Sequence, residues 1–385
     1  MSFFHHPLWL VGFRPFFLLS CLAGALYPPL WIAIFSGELA LTASPVDPLR
    51  WHAHEMFFGF GWAVLGGFLL TSTKNWVNIR GYHGKMLAGL AAAWLLERAA
   101  MLLGAHWPQW LSLTGSYLFL LTIILLLMWT LIRYRQQDSY RDNALFLLVL
   151  PSFLIAKTWL LFGDFQAGYT LCIALFRLAF LIMLERTLTQ FMKGIFQVSI
   201  LRHPGLDMGI KGLALLLLGG FWLPAGLTAG ISLLLAVLLG IRFFFWQPFV
   251  AMRRIDVGIM YLGYLAIVVQ LLLDVFAYAC APVWTGSFAV HLFTLGTMGC
   301  VIPAMIMRIA KGHTGRKVVF DGKDRAVLYV MIAALLARTA LPQILPEAYL
   351  FWLQLSAAGW LIAFGTLAIR YIPWLMQPRL DGREH

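Results

Sequence analysis

The sequence predicts an all-α fold, a polytopic transmembrane helical bundle of about twelve helices with both termini cytoplasmic. Three observations carry this. The chain is 61% hydrophobic and only 11% charged over 385 residues, where soluble domains carry roughly 25% charged residues. Its apolar residues fall in uninterrupted runs near the ~20 residues that cross ~30 Å of hydrocarbon, and such runs are helices because a membrane strand would alternate. Finally, the basic residues collect in every second connection.

The first run, 16–35, is too long for a cleavable signal peptide, and no small-x-small site follows it. The next five cover 57–73, 86–103, 111–132, 144–162 and 168–188. A basic connection over 189–209 suits a short amphipathic segment on the membrane surface. The seventh run, 210–223, is short and interrupted by Gly219-Gly220 and Pro224; 225–245, 257–279, 285–307, 326–341 and 349–369 complete the series. Connections after even-numbered runs hold Lys74, Arg80 and Lys85; Arg133, Arg135 and Arg141; Arg186, Lys193, Arg202 and Lys211; Arg242, Arg253 and Arg254; and Arg308, Lys311, Arg316, Lys317, Lys323 and Arg325. Connections after odd-numbered runs have almost none, Arg50 being the clearest. The positive-inside rule therefore puts the basic loops in the cytoplasm. The net charge of +12 is a topology signal and excludes nothing more than it explains: no nucleic-acid surface is needed. One integral-membrane domain over 1–385 is expected. Cys21, Cys172, Cys280 and Cys300 share no zinc or disulfide spacing.

Ionisable residues inside a bilayer are functional candidates by default, and imidazole is the commonest metal and haem ligand among side chains. Trp51-His52-Ala53-His54-Glu55-Met56 opens the second run and His291-Leu292-Phe293-Thr294-Leu295-Gly296 lies near the start of the tenth. Both runs start on the outer side, so His54 and His291 are expected to approach each other on one metal, with His52 as a third candidate. If the segment is helical, His52 and His54 point to nearly opposite sides, and only one of them ligates. Glu55, three residues after His52, is placed to hold its second ring nitrogen. Glu97, Arg98, Lys157, Asp274 and Arg338 come to the same outer layer, where helix-end snorkelling accounts for the cations equally well. Gly59, Gly296 and Gly299 suit either a planar cofactor or helix packing, and Met298 and Met305 suit core filling as much as copper.

A second cluster is expected on the inner side. Arg308-Ile309-Ala310-Lys311-Gly312-His313-Thr314-Gly315-Arg316 is a basic, glycine-punctuated turn, and Arg14 lies on the same side. Arg14, Arg308, His313 and Arg316 suit an anionic group such as a lipid head group, a haem propionate or a small anion; lysines and arginines contacting phospholipid explain the charge equally well.

Together with Gly12-Phe13-Arg14-Pro15-Phe16-Phe17, Gly67-Phe68-Leu69-Leu70-Thr71 and Asn75-Trp76, these stretches resemble the NnrS family of membrane proteins, which contain haem and copper and are associated with bacterial defence against nitric oxide. The likeness runs from near residue 7 to near 325. It implies a bacterial cytoplasmic (inner) membrane protein with histidine-held haem b, possible use of copper, and a role in nitrosative stress through nitric oxide or nitrosyl-iron species. Family members commonly read Val-Pro where this chain has Thr73-Lys74, and Tyr261 stands where a family histidine is expected, which puts copper in question. Two other functions stay open: a haem-dependent redox enzyme converting nitric oxide, and a secondary transporter whose pocket uses Lys157, Arg177 and Asp274. Membrane lipid is the remaining partner expected.

Overall fold

In a computed structural model, which describes residues 3–383, each apolar run folds as a helix, because hydrocarbon offers backbone N–H groups no partner but the chain's own carbonyls. His385, read as an inert terminal residue, lies outside the described residues. Eleven helices among the described residues are long and apolar enough to cross a membrane. In chain order they are α1 (Phe13–Phe35), α2 (Pro48–Trp76), α3 (Lys85–His106), α4 (Gln109–Arg133), α5 (Arg141–Phe162), α6 (Phe165–Phe196), α8 (Ala225–Phe245), α9 (Ile255–Cys280), α10 (Phe288–His313), α11 (Gly322–Ile344) and α12 (Pro346–Leu375). Between α6 and α8 lies α7 (Pro204–Leu216), of 13 residues.

The expected surface segment over 189–209 is absorbed from both sides. Helix α6 runs on to Phe196, and α7 begins at Pro204, where the His203 Nδ1 accepts from the Leu206 N–H at 3.2 Å. Although α7 is short, its flanks extend it. The Leu201 N–H donates to the Phe245 carbonyl at 3.3 Å, and the Thr228 hydroxyl donates to the Gly220 carbonyl at 3.3 Å. The chain from 201 to 220 therefore runs the whole length of α8. Arg14, at the start of α1, donates to the Leu375 carbonyl at the end of α12, 2.9 Å away. Helix α7, at 13 residues, is shorter than a spanning helix, so the described residues hold eleven candidate spans against the twelve expected.

The WHAHEM segment is helical because the helix starts earlier than hydropathy alone indicates. Asp47 accepts from the N–H groups of Leu49 and Arg50, each at 3.0 Å, and Pro48 follows at the first helical position. Helix α2 then passes through a π-helical stretch at Glu55–Gly61. Helix α10 does the same at Thr294–Gly299. Such stretches are rare and recur at functional sites. Here each begins within three residues of a candidate histidine.

The chain divides into two compact units. One comprises residues up to Tyr169, Ile306–Val319 and those from Phe364 on; the other comprises Thr170–Met305 and Phe320–Ala363. The first contains His52, His54 and the inner basic turn, and the second contains His291.

Candidate functional site

In the first unit, Gly59 fixes the arrangement around His54. A Cβ on Gly59 would stand 2.2 Å from Arg98 Nη1 and 3.0 Å from the Tyr27 ring, so the missing side chain is the space that Arg98 fills. The π-helical register offers the Gly59 carbonyl sideways, and the Trp94 indole donates to it at 3.1 Å. Arg98 then lies 3.2 Å from Glu55 Oε2 and 3.0 Å from Glu97 Oε1. Lys157 donates to Glu97 and to the Ser116 carbonyl. Its ammonium also lies over the Phe58 and Tyr117 rings, at 5.3 and 5.1 Å.

His54 sits inside this cage with no exposed surface. Its Nδ1 is 3.0 Å from Glu55 Oε1 and its Nε2 is 3.1 Å from Glu97 Oε1. The second contact lacks the alignment of a hydrogen bond, and Glu97 Oε2 meets no donor among the described residues. Two carboxylates balance two cations around the ring. Each ring nitrogen of His54 thus faces a carboxylate oxygen, one in a hydrogen bond and one in a charge contact.

Several expectations change here. Glu55 pairs with the adjacent His54 and with Arg98. His52 is instead stacked on Trp31, with ring centroids 4.3 Å apart and 17° between planes. Both histidines are helical, so they diverge and do not share one metal ion. Arg98 and Lys157 do not snorkel; both are buried against carboxylates. Glu97 and Lys157, expected at this depth, turn out to be part of the His54 site, and Tyr27 is the site member that sequence reading did not single out. The signal for them is the rarity of ionisable residues in apolar runs.

In the second unit, His291 is half-buried. Its Nδ1 lies 2.9 Å from the Ser287 carbonyl and 3.0 Å from the Ser287 hydroxyl. A carbonyl only accepts, so this contact places a proton on Nδ1. Arg338 donates to the same hydroxyl at 3.3 Å and to the Tyr349 hydroxyl at 3.3 Å. Gly296 and Gly299 are packing positions: added Cβ atoms would meet Ala266 Cβ at 2.8 Å and Met331 and Trp360 at 3.2 Å. Neither forms a floor for a planar group.

Other candidates take structural duties. Tyr261 is fully buried and donates to the Trp246 carbonyl at 2.6 Å. Arg177 donates to Gln270 at 2.8 Å, and Gln270 to Asp274 at 2.6 Å. The loop cations Arg202, Lys211 and Arg242 are not only topological: Arg202 reaches Glu185 at 2.5 Å and Asp207 at 2.8 Å, Lys211 reaches Glu185 at 3.0 Å, and Arg242 lies 3.4 Å from both acids. Among the described residues, no group of three His, Cys, Asp or Glu is placed to hold a metal ion.

The inner turn is built at the end of α10. Of its two central glycines only Gly315 has a left-handed backbone, φ +78°, while Gly312 remains in the helix. His313 packs on Phe13 at 5.3 Å between centroids. Arg308 is buried, and five helical positions before His313 it points roughly 140° away from it. Arg14 and Arg316 converge on the chain after α12. Arg14 donates to Gln377 O at 2.7 Å, and Arg316 donates to Gln377 Oε1 at 3.3 Å.

The family model described as NnrS protein matches residues 7–379, nearly the whole chain. The chain belongs to the NnrS family. A search of curated proteins finds no match. As an NnrS protein, the chain joins eleven candidate membrane spans among the described residues to two histidine-bearing helices that each carry a π-helical stretch.

Proposed function

We propose that this NnrS protein is a haem-binding protein of the bacterial inner membrane that serves the nitric oxide and nitrosative stress response. The basic loops face the cytoplasm in this reading, by the positive-inside rule, and His291 and His54 lie toward the periplasmic side. One observation supports the haem most directly: the Ser287 carbonyl holds His291 Nδ1 at 2.9 Å, which is how a metal-bound imidazole is usually oriented from behind. The donor set therefore fits, with His291 as the residue that would hold the iron through Nε2. When bound there, haem would supply an iron able to take a diatomic ligand such as nitric oxide. Haem b is the type that suits this chain, because its four cysteines form no Cys-x-x-Cys-His attachment motif.

His54 fits a different duty while Glu97 stays in place. Its Nδ1 has the carboxylate support a metal ligand needs, but its Nε2 faces Glu97 at 3.1 Å, so ligation there requires that carboxylate to turn aside. In the reading offered here, His54 and its two carboxylates hold and pass a proton within the membrane. Copper stays outside the proposal, since Tyr261 is spent on the Trp246 carbonyl.

The deciding experiment is an absorption spectrum of the purified protein. A Soret band that disappears in His291→Ala supports the proposal; a protein purified with no Soret band after haem supplementation refutes it. The second reading, a secondary transporter, draws on the buried Glu97–Lys157 pair, since paired charges at depth also mark substrate and proton paths. A haem-free protein that carries out proton-coupled uptake when reconstituted in liposomes would establish it.

A further inference from the structure

Arg14 is a fully buried guanidinium with only part of its hydrogen-bonding capacity used. Its Nη1 donates to the Leu375 carbonyl at 2.9 Å and the Gln377 carbonyl at 2.7 Å. Its Nε and Nη2 are also buried and meet no acceptor among the described residues. Arg316 repeats the pattern. Its guanidinium lies 4.4 Å over the Trp374 ring and its Nη2 donates to Gln377 Oε1 at 3.3 Å, while Nη1 is buried without an acceptor. Arg379, two residues past Gln377, completes the group. It clamps Asp381 through two bonds of 2.8 and 2.5 Å and donates to the His313 carbonyl at 3.1 Å.

Arg14 and Arg316 both bond Gln377, and Arg316 and Arg379 lie close enough to repel the Arg14 cation. Asp381 offsets one of the three positive charges, leaving two. The walls are rigid: Phe13 packs on His313, and the Leu380 N–H donates to the Thr314 carbonyl at 3.1 Å. Buried donors of a charged group that lack acceptors are costly, and clustered like charges add to that cost. A single anion with several oxygens removes both penalties.

We propose that Arg14, Arg316 and Arg379 form an oxyanion site that takes a phosphate group. Two excess charges and planar forks that pair two oxygens at once match phosphate better than a single carboxylate. The site lies where three membrane helices end, so the phosphate comes either from a phospholipid head group or from free phosphate. The proposal does not depend on haem.

The test uses the full-length protein in neutral detergent and in nanodiscs. Inorganic phosphate is titrated into delipidated protein by calorimetry, and phospholipid retention is read by native mass spectrometry after reconstitution in phosphatidylcholine with and without phosphatidylglycerol. Saturable binding of inorganic phosphate identifies a free oxyanion. Retained phospholipid without phosphate binding identifies a head group. In either case Arg316→Gln should weaken binding about tenfold, the scale of one charged hydrogen bond. Arg316→Gln leaves the carbonyl bonds of Arg14 intact, so it tests the site without removing the contact that closes the fold; Arg14→Lys, which keeps the charge but loses the fork, should bind more weakly still. Absence of both phosphate and phospholipid binding overturns the site, as does Arg316→Gln binding as tightly as the parent.

Discussion

The Nε2 of His54 lies 3.1 Å from Oε1 of Glu97, and the same carboxylate oxygen is held by Lys157 and by Arg98 at 3.0 Å. One oxygen thus ties three helices, α2, α3 and α5, through a ring that is completely buried. Glu97→Gln should be strongly destabilising, by about 3–5 kcal/mol, because it leaves a buried ammonium without its counter-charge. Pairing it with Lys157→Met should restore most of the loss. Melting temperatures of the two variants in detergent check this, and a double variant no more stable than Glu97→Gln alone would contradict it.

His52 and His291 should separate cleanly. His291→Ala is expected to abolish the Soret band, whereas His52→Ala should retain it and cost about 0.5–1.5 kcal/mol, the worth of its stack on Trp31. Haem content per protein, measured by pyridine haemochrome assay, distinguishes them. Equal haem in His291→Ala and the parent would remove His291 from the ligand set.

Gly59 and Gly89 make a matched pair. A Cβ at Gly59 would lie 2.2 Å from Arg98 Nη1, while one at Gly89 meets nothing within 4 Å. Gly59→Ala should displace the guanidinium from Glu55 and lower the melting temperature. Gly89→Ala should be neutral or stabilise the helix by roughly 0.5–1 kcal/mol. Two variants with indistinguishable melting curves would mean that Arg98 does not depend on that gap.

Tyr261→Phe removes one buried hydrogen bond, the 2.6 Å contact to the Trp246 carbonyl. The expected cost is about 1–3 kcal/mol, because an acceptor is left unsatisfied. The visible spectrum should not change. A shifted or lost metal absorption in Tyr261→Phe would show that the phenol is a ligand after all.

Hydropathy and charge placed the twelve runs because both follow from the solvent alone: hydrocarbon length sets the runs, and membrane insertion sets the loop charges. The seventh run, 210–223, misplaces its helix, which spans Pro204–Leu216, because that helix's depth is set by pairing with α8, at Leu201–Phe245 and Gly220–Thr228. The same limit applies to the site. His54 was legible as an ionisable residue in an apolar segment, but its partners Glu97 and Lys157 belong to other helices. The π-helical stretch at Glu55–Gly61 was also hidden, since the carbonyl it exposes is taken by Trp94 of α3. Asp47-Pro48, by contrast, is a local start signal that was available in the sequence and fixes both histidines as helical.

The bond from Arg14 to the Leu375 carbonyl sets an order on biosynthesis. Domains usually assemble as the N-terminal chain emerges, but the first unit also draws on Ile306–Val319 and on everything from Phe364 onward. Helix α1 packs on α2, which follows it directly, but the Arg14 guanidinium at its edge meets its carbonyl partners only once the chain beyond Phe364 has been made. A chain truncated before Leu375 would thus keep α1 on α2 but leave the Arg14 guanidinium without either of its carbonyl acceptors.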